Sequence, residues 1–112
     1  MKGLWIDPDT QTIEELDRDF SDIKNIQDVV EGHFTIACFI DGNVVYCDDE
    51  GMLKVNLAYT EIDGAYAPFA GHLLVLGDKD GSATDVTITG EELGKKIRFL
   101  THQQVKEKYA RH

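Results

Sequence analysis

The strongest constraint on this chain is the run Phe34-Thr35-Ile36-Ala37-Cys38-Phe39-Ile40, followed by Asp41-Gly42 and then Asn43-Val44-Val45-Tyr46-Cys47. Two β-rich runs around Asp-Gly specify a tight hairpin, because both turn residues tolerate positive φ. With a two-residue turn, paired residue numbers sum to 83, so Cys38 opposes Val45 and Cys47 opposes Ile36. Ile36, Cys38, Ile40 and Val45 then share one face with both sulfurs, and Thr35, Ala37, Phe39, Val44 and Tyr46 share the other. A three-residue Asp41-Gly42-Asn43 turn would instead separate the cysteines. Both faces are largely apolar, which predicts a central hairpin covered on each side. A helix over residues 20–30 is expected on one face and at least one C-terminal helix on the other.

The remaining elements follow from periodicity and punctuation. Gly3-Leu4-Trp5-Ile6, the turn signal Asp7-Pro8-Asp9 and Thr12-Ile13-Glu14-Glu15-Leu16 read as an N-terminal hairpin. Phe20, Ile23, Ile26 and Val30 recur at helical spacing, with Asp19 or Ser21 as cap and Gly32 as left-handed stop. Met52 to Val55 reads as a short strand, and residues 56–68 as a helical turn or ordered loop. His72-Leu73-Leu74-Val75-Leu76 reads as a buried strand, and Asp85-Val86-Thr87-Ile88 as a half-exposed one. Thr89 with Glu92, and Thr101 with Gln104, form capping-box patterns. They predict two C-terminal helices, about 90–99 burying Leu93, Ile97 and Leu100, and about 102–110 burying Val105 and Tyr109. The expected class is α+β: a mostly antiparallel sheet with a central hairpin, one helix after the N-terminal hairpin and two short C-terminal helices.

At 112 residues the chain reads as a single domain, 1–112, large enough for one core. No apolar run reaches the ~18 residues of a membrane helix, and no signal-type stretch follows Met1, so a cytoplasmic location is expected. The net charge of −10 is unevenly spread. Residues 1–92 hold 20 acids and 5 bases, whereas residues 93–112 hold six bases and one acid, making 90–112 a basic helical segment. An acidic body repels phosphates, which argues against direct nucleic-acid binding. Its densest acidic stretch, Glu14-Glu15-Leu16-Asp17-Arg18-Asp19, is too thin to imitate the charge spacing of a duplex, ~1.7 Å per charge.

Reactive constellations are sparse. Cys38 and Cys47 read as reduced core thiols, since zinc would need two further ligands and no other Cys/His pair has suitable spacing. His33, His72, His102 and His112 are scattered, and His72 beside Gly71 reads as a strand-edge residue. Asp78-Lys79-Asp80-Gly81-Ser82 opens like a calcium loop, but Ala83 stands where that loop needs Gly and Thr89 where it needs the bidentate Glu. Catalytic, cofactor-binding and metal-ligating residues are therefore assigned to none, and no cofactor is expected. The candidate interaction residues are Glu14, Glu15, Asp17, Asp19 and Asp22, with Tyr59, Glu61, Asp63 and Tyr66. Within the last group, Tyr59 and Tyr66 are expected to be exposed aromatics flanking two acids.

The pattern Gly32 to Cys47, with Asp49-Glu50-Gly51-Met52-Leu53, Asn56 and Ala58, and the glycine-bracketed Phe69-Ala70-Gly71-His72-Leu73-Leu74-Val75-Leu76-Gly77, resembles the domain of unknown function 3846 family. The resemblance covers residues 29–77, about half the chain, or most of it if residues 1–16 supply the family's first strand. His72 stands where a small or apolar residue is expected, and the basic C-terminal helices look like a local variation. The resemblance implies a small protein of phages and other mobile elements and carries no activity. Together with the acidic body it leads to the expectation of a non-enzymatic interaction module that binds a basic host protein surface. The alternative is a small-ligand domain, for a nucleotide or metabolite, using residues 56–69.

Overall fold

The computed structural model describes residues 1–50, 58–65 and 67–109. The expected strand at 52–55 and the side chain of Tyr66 lie outside them. Strands β1 (Lys2–Asp7) and β2 (Thr12–Asp17) form the N-terminal hairpin, followed by α1 (Ile23–Val30). Next come β3 (Phe34–Ile40), β4 (Asn43–Asp48), β5 (Ala58–Ile62), β6 (Phe69–Ala70), β7 (Leu73–Lys79) and β8 (Ser82–Thr84). The chain ends with α2 (Gly90–Gly94), β9 (Ile97–Thr101) and α3 (His102–Tyr109). Every ladder among the described residues is antiparallel. The large sheet runs β2-β1-β7-β4-β3, with β8 added to β7, and the small sheet runs β6-β5-β9.

Leu73, Leu74, Val75 and Leu76 are wholly buried, which explains why β7 reads as a continuous apolar run: it lies inside the sheet between β1 and β4. Alternate residues serve two cores. Leu4, Ile6, Val45, Leu73 and Val75 face the small sheet, where Ile62, Ile97, Phe69 and Phe99 meet them. Leu74 and Leu76 face α1, which contributes Ile26, Val29 and Val30, and Phe20 from the preceding turn. Each such side chain gains about 1.5–3 kcal/mol from burial. The face opposite α1 is therefore covered chiefly by strands, with α2 adding Leu93.

The Asp41-Gly42 turn has two residues, with φ of 46° and 80°, and Cys38 pairs with Val45 as the turn requires. A bulge at Ala37 then shifts the register, so Ile36 pairs with Tyr46 and Thr35 with Cys47. The two cysteines still share one core, but Ile36 passes to the α1 side, where it is 51% exposed. The hairpin is not central as a unit. β4 is interior, whereas β3 is the sheet edge and leaves Phe39 66% exposed.

Other expectations shift by a few residues. Asp22 caps α1, through its carboxylate on the Lys24 N–H, and Glu31 rather than Gly32 adopts the left-handed stop. Ile23 is exposed. Residues 85–88 are irregular and β8 precedes them. Gly77 is needed there for space, since a Cβ would lie 2.2 Å from the Asp85 carbonyl oxygen. Both capping boxes are present, Thr89 with Glu92 and Thr101 with Gln104. The first opens a helix that stops at Gly94, and residues 97–101 pair with β5 instead of continuing it. In that strand Ile97 and Phe99 join the core while Arg98 points outward, a period of two that outweighs helical spacing. Finally, α3 buries no residue.

Candidate functional site

The described residues bring together two groups that bear on function. The first lies at one end of the large sheet, on its α1 side. Ile6 pairs with Leu73, so antiparallel register places Asp7 beside His72, one step beyond. Trp5, two residues back along β1, faces the same way and meets the His72 ring edge-on at 5.2 Å. The left-handed cap of α1 delivers Glu31 to the other edge of that ring. Its Oε1 lies 2.9 Å from His72 Nδ1, and Nε2 lies 3.4 Å from Asp7 Oδ1. Asp7 is buried, and its Oδ1 also accepts the Asp9 N–H at 3.0 Å, folding the Asp7-Pro8-Asp9 turn back toward His72. A cleft of about 290 Å³ opens beside this group, walled by Trp5, Leu16, Val29 and His72 with Arg18, Asp28 and Glu31 around it. Trp5 Nε1 is buried with no hydrogen-bond partner.

The second group is the anchorage of the C-terminal segment on the small sheet. Glu61, 8% exposed, accepts bonds from Lys108 Nζ and Tyr109 Oη, each at 2.5 Å, and Arg98 Nη1 lies 3.7 Å from it. These bonds, led by the one from Lys108, hold the Glu61 carboxyl below its ordinary range, while the Glu61 carboxylate pushes the Tyr109 phenol up to about 12. Arg98 binds Asp63 at 2.9 Å, and Lys96 reaches Asp41 at 3.2 Å. Tyr59 is 6% exposed and its hydroxyl lies 3.3 Å from His102 Nδ1. Tyr59 and Glu61 are thus internal, so of the expected exposed pair Tyr59 and Tyr66 the first is buried, because β5 is a buried strand rather than a loop.

The N-terminal acids sit elsewhere. Glu14 lies across from Trp5 on the α1 face, and Glu15 and Asp17 lie across from Leu4 and Lys2 on the opposite one. Glu15 is 3.9 Å from Lys2 Nζ, and Asp17 holds the terminal ammonium at 3.0 Å, raising its pKa through that bond. Asp19 accepts from the Ser21 hydroxyl and N–H, which lowers its own pKa, and Asp22 is engaged as a cap. The acidic run therefore wraps an edge strand and does not form one flat array.

Cys38 and Cys47 are free thiols. Burial raises both, Cys47 to about 11, so neither is an activated nucleophile. Asp78 to Ser82, the failed calcium-loop match, is the β7–β8 hairpin, with Asp80 and Gly81 at φ 52° and 85°. The Asp7–Asp9–His72 group escaped the sequence reading because its members are 65 residues apart and only the β1–β7 pairing joins them. The available signal was Asp7-Pro8-Asp9 together with a histidine at the mouth of an apolar strand.

By architecture the chain is a small α+β domain with a sheet-edge cleft. A family model described as domain of unknown function DUF3846 matches residues 1–109, and the chain belongs to that family. The match takes in the N-terminal hairpin and residues 90–109 of the basic C-terminal segment. Searches of curated proteins and of solved structures each find no match.

Proposed function

We propose that the protein is a non-enzymatic interaction module, of the kind carried by mobile elements, whose acidic face meets a basic protein surface in the cytoplasm. The observation that carries this reading is the placement of the bases. Lys96, Arg98 and Lys108 are ion-paired to Asp41, Asp63 and Glu61. These three bases thus offset acids around the small sheet, while the exposed Glu14, Glu15 and Asp28 stand at the other edge around β2 and α1. A local excess of negative charge steers encounters with the opposite sign and repels nucleic acid.

The test is capture from cell lysate by the parent and by a Glu14→Lys, Glu15→Lys, Asp28→Lys variant. It is run at low salt and at ~0.15 M, where screening falls to ~8 Å. The expected result is a partner with a basic surface, held by the parent at both salts and lost by the variant. No partner, or equal capture by both proteins, contradicts the proposal.

A second reading, a small-ligand domain, is favoured by the cleft at Trp5 and His72 rather than by residues 56–69. Its volume is near the lower end for ligand pockets, and it offers an aromatic wall with charges of both signs. A thermal-shift screen of nucleotides and metabolites tests it, since a ligand raises apparent stability by mass action. A flat screen contradicts it.

A further inference from the structure

We propose that Asp7, Asp9 and His72 bind a first-row transition-metal dication such as Zn²⁺ or Mn²⁺. One ligand atom from each lies within 4.8 Å of the others. Metal–ligand distances of about 2.0–2.2 Å place neighbouring ligand atoms roughly 3.0–3.6 Å apart. His72 Nε2 and Asp7 Oδ1 are already at 3.4 Å. Asp9 is exposed on the β1–β2 turn, and the small remaining closure falls on that residue.

The surroundings prepare the imidazole for this role. Nδ1 faces the Glu31 carboxylate at 2.9 Å, which in the neutral ring assigns the proton to Nδ1 and leaves the Nε2 lone pair toward Asp7. In that tautomer Nε2 and the Asp7 carboxylate face each other at 3.4 Å, the separation of two ligand atoms on one cation. The carboxylate–histidine pairing is the one that orients metal-bound histidines and increases their basicity. Trp5 packs edge-on against the ring and fixes its plane. One imidazole nitrogen and two carboxylates suit Zn²⁺ or Mn²⁺. Mg²⁺ and Ca²⁺ prefer all-oxygen sites.

The site is independent of the acidic-face reading, because it uses none of Glu14, Glu15 or Asp28. The test is isothermal titration of the full chain with ZnCl₂ and MnCl₂, with MgCl₂ as control, on the parent, Asp9→Asn and His72→Gln. The expected result is one site for Zn²⁺ or Mn²⁺ with Kd at or below ~10 µM, roughly −7 kcal/mol, and at least tenfold weaker binding in each variant. Asp9→Asn changes an exposed turn residue, so it decides the matter even if His72→Gln does not fold. Absence of heat with both metals overturns the proposal. Equal affinity in parent and Asp9→Asn also overturns it, by placing the metal on His33, His102 or His112.

Discussion

Asn43 provides the most quantitative test of the architecture. It is wholly buried at the start of β4. Its amide donates to the Ile40 and Asp41 carbonyls at 3.1 and 3.2 Å and to Thr87 Oγ1 at 2.8 Å, and its Oδ1 accepts the Thr87 N–H at 2.9 Å. One side chain therefore ties the hairpin turn to residues 85–88. Asn43→Ala removes all four bonds. Thr87 is exposed and turns to water, but the carbonyls at the turn lose their partner and a void opens in the core. Two lost bonds at about 1 kcal/mol each, with a further ~1 kcal/mol for the void, give a loss of roughly 3 kcal/mol. At a urea m-value of ~2 kcal/mol/M the midpoint falls by about 1.5 M. Thr87→Val keeps the backbone acceptance by Asn43 and loses one bond, so about 1 kcal/mol is expected. Urea unfolding followed by circular dichroism measures both, and amide exchange at Thr87 reports the contact directly. An Asn43→Ala midpoint within 0.2 M of the parent, with Thr87 exchange unchanged, refutes the reasoning.

Three further outcomes follow from the same geometry. Gly42→Val has open space around its new side chain but forces a β-branched residue to φ 80°, so unfolding midpoints should show a loss of at least ~1–2 kcal/mol. The Glu61 carboxyl is held below its ordinary value of 4.5, so its stabilisation is complete above that pH and is lost as pH falls through the depressed value. Stability of the parent should therefore drop more steeply below pH 4.5 than that of Glu61→Gln, and parallel pH profiles contradict the anchorage. Cys47, with its thiol raised to about 11, should resist thiol reagents in the native state at neutral pH and react once the protein is unfolded. Native-state labelling as fast as in the unfolded chain contradicts its burial.

Local chemistry made much of the fold legible. Asp41-Gly42, the apolar 73–76 run and the Thr89–Glu92 box each act over a few residues, and each appears where the chain spells it. Features decided by distant partners were not legible. The bulge at Ala37 leaves no signal in an unbroken apolar run, yet it moves Ile36 to the other face. Residues 97–101 satisfy both helical and strand periodicity, and only the presence of β5 selects the strand. The same holds for the sites. The acids of β2 are visible as a run, but that they wrap an edge depends on pairing with β1. His72 acquires meaning only when β7 lies beside β1 and α1 ends above both.

The proposed recognition through the acidic β2–α1 edge rests on Lys96, Arg98 and Lys108 being paired within the molecule. Carboxyl-directed cross-linking of the captured complex at ~0.15 M salt, read by mass spectrometry, tests it most directly, because only close and persistent charge pairs survive that screening. The account predicts cross-links to partner lysines from Glu14, Glu15 and Asp28, and none from Glu61 or Asp63. Cross-links concentrated on the small sheet and α3, with the β2 edge unmodified, would contradict it.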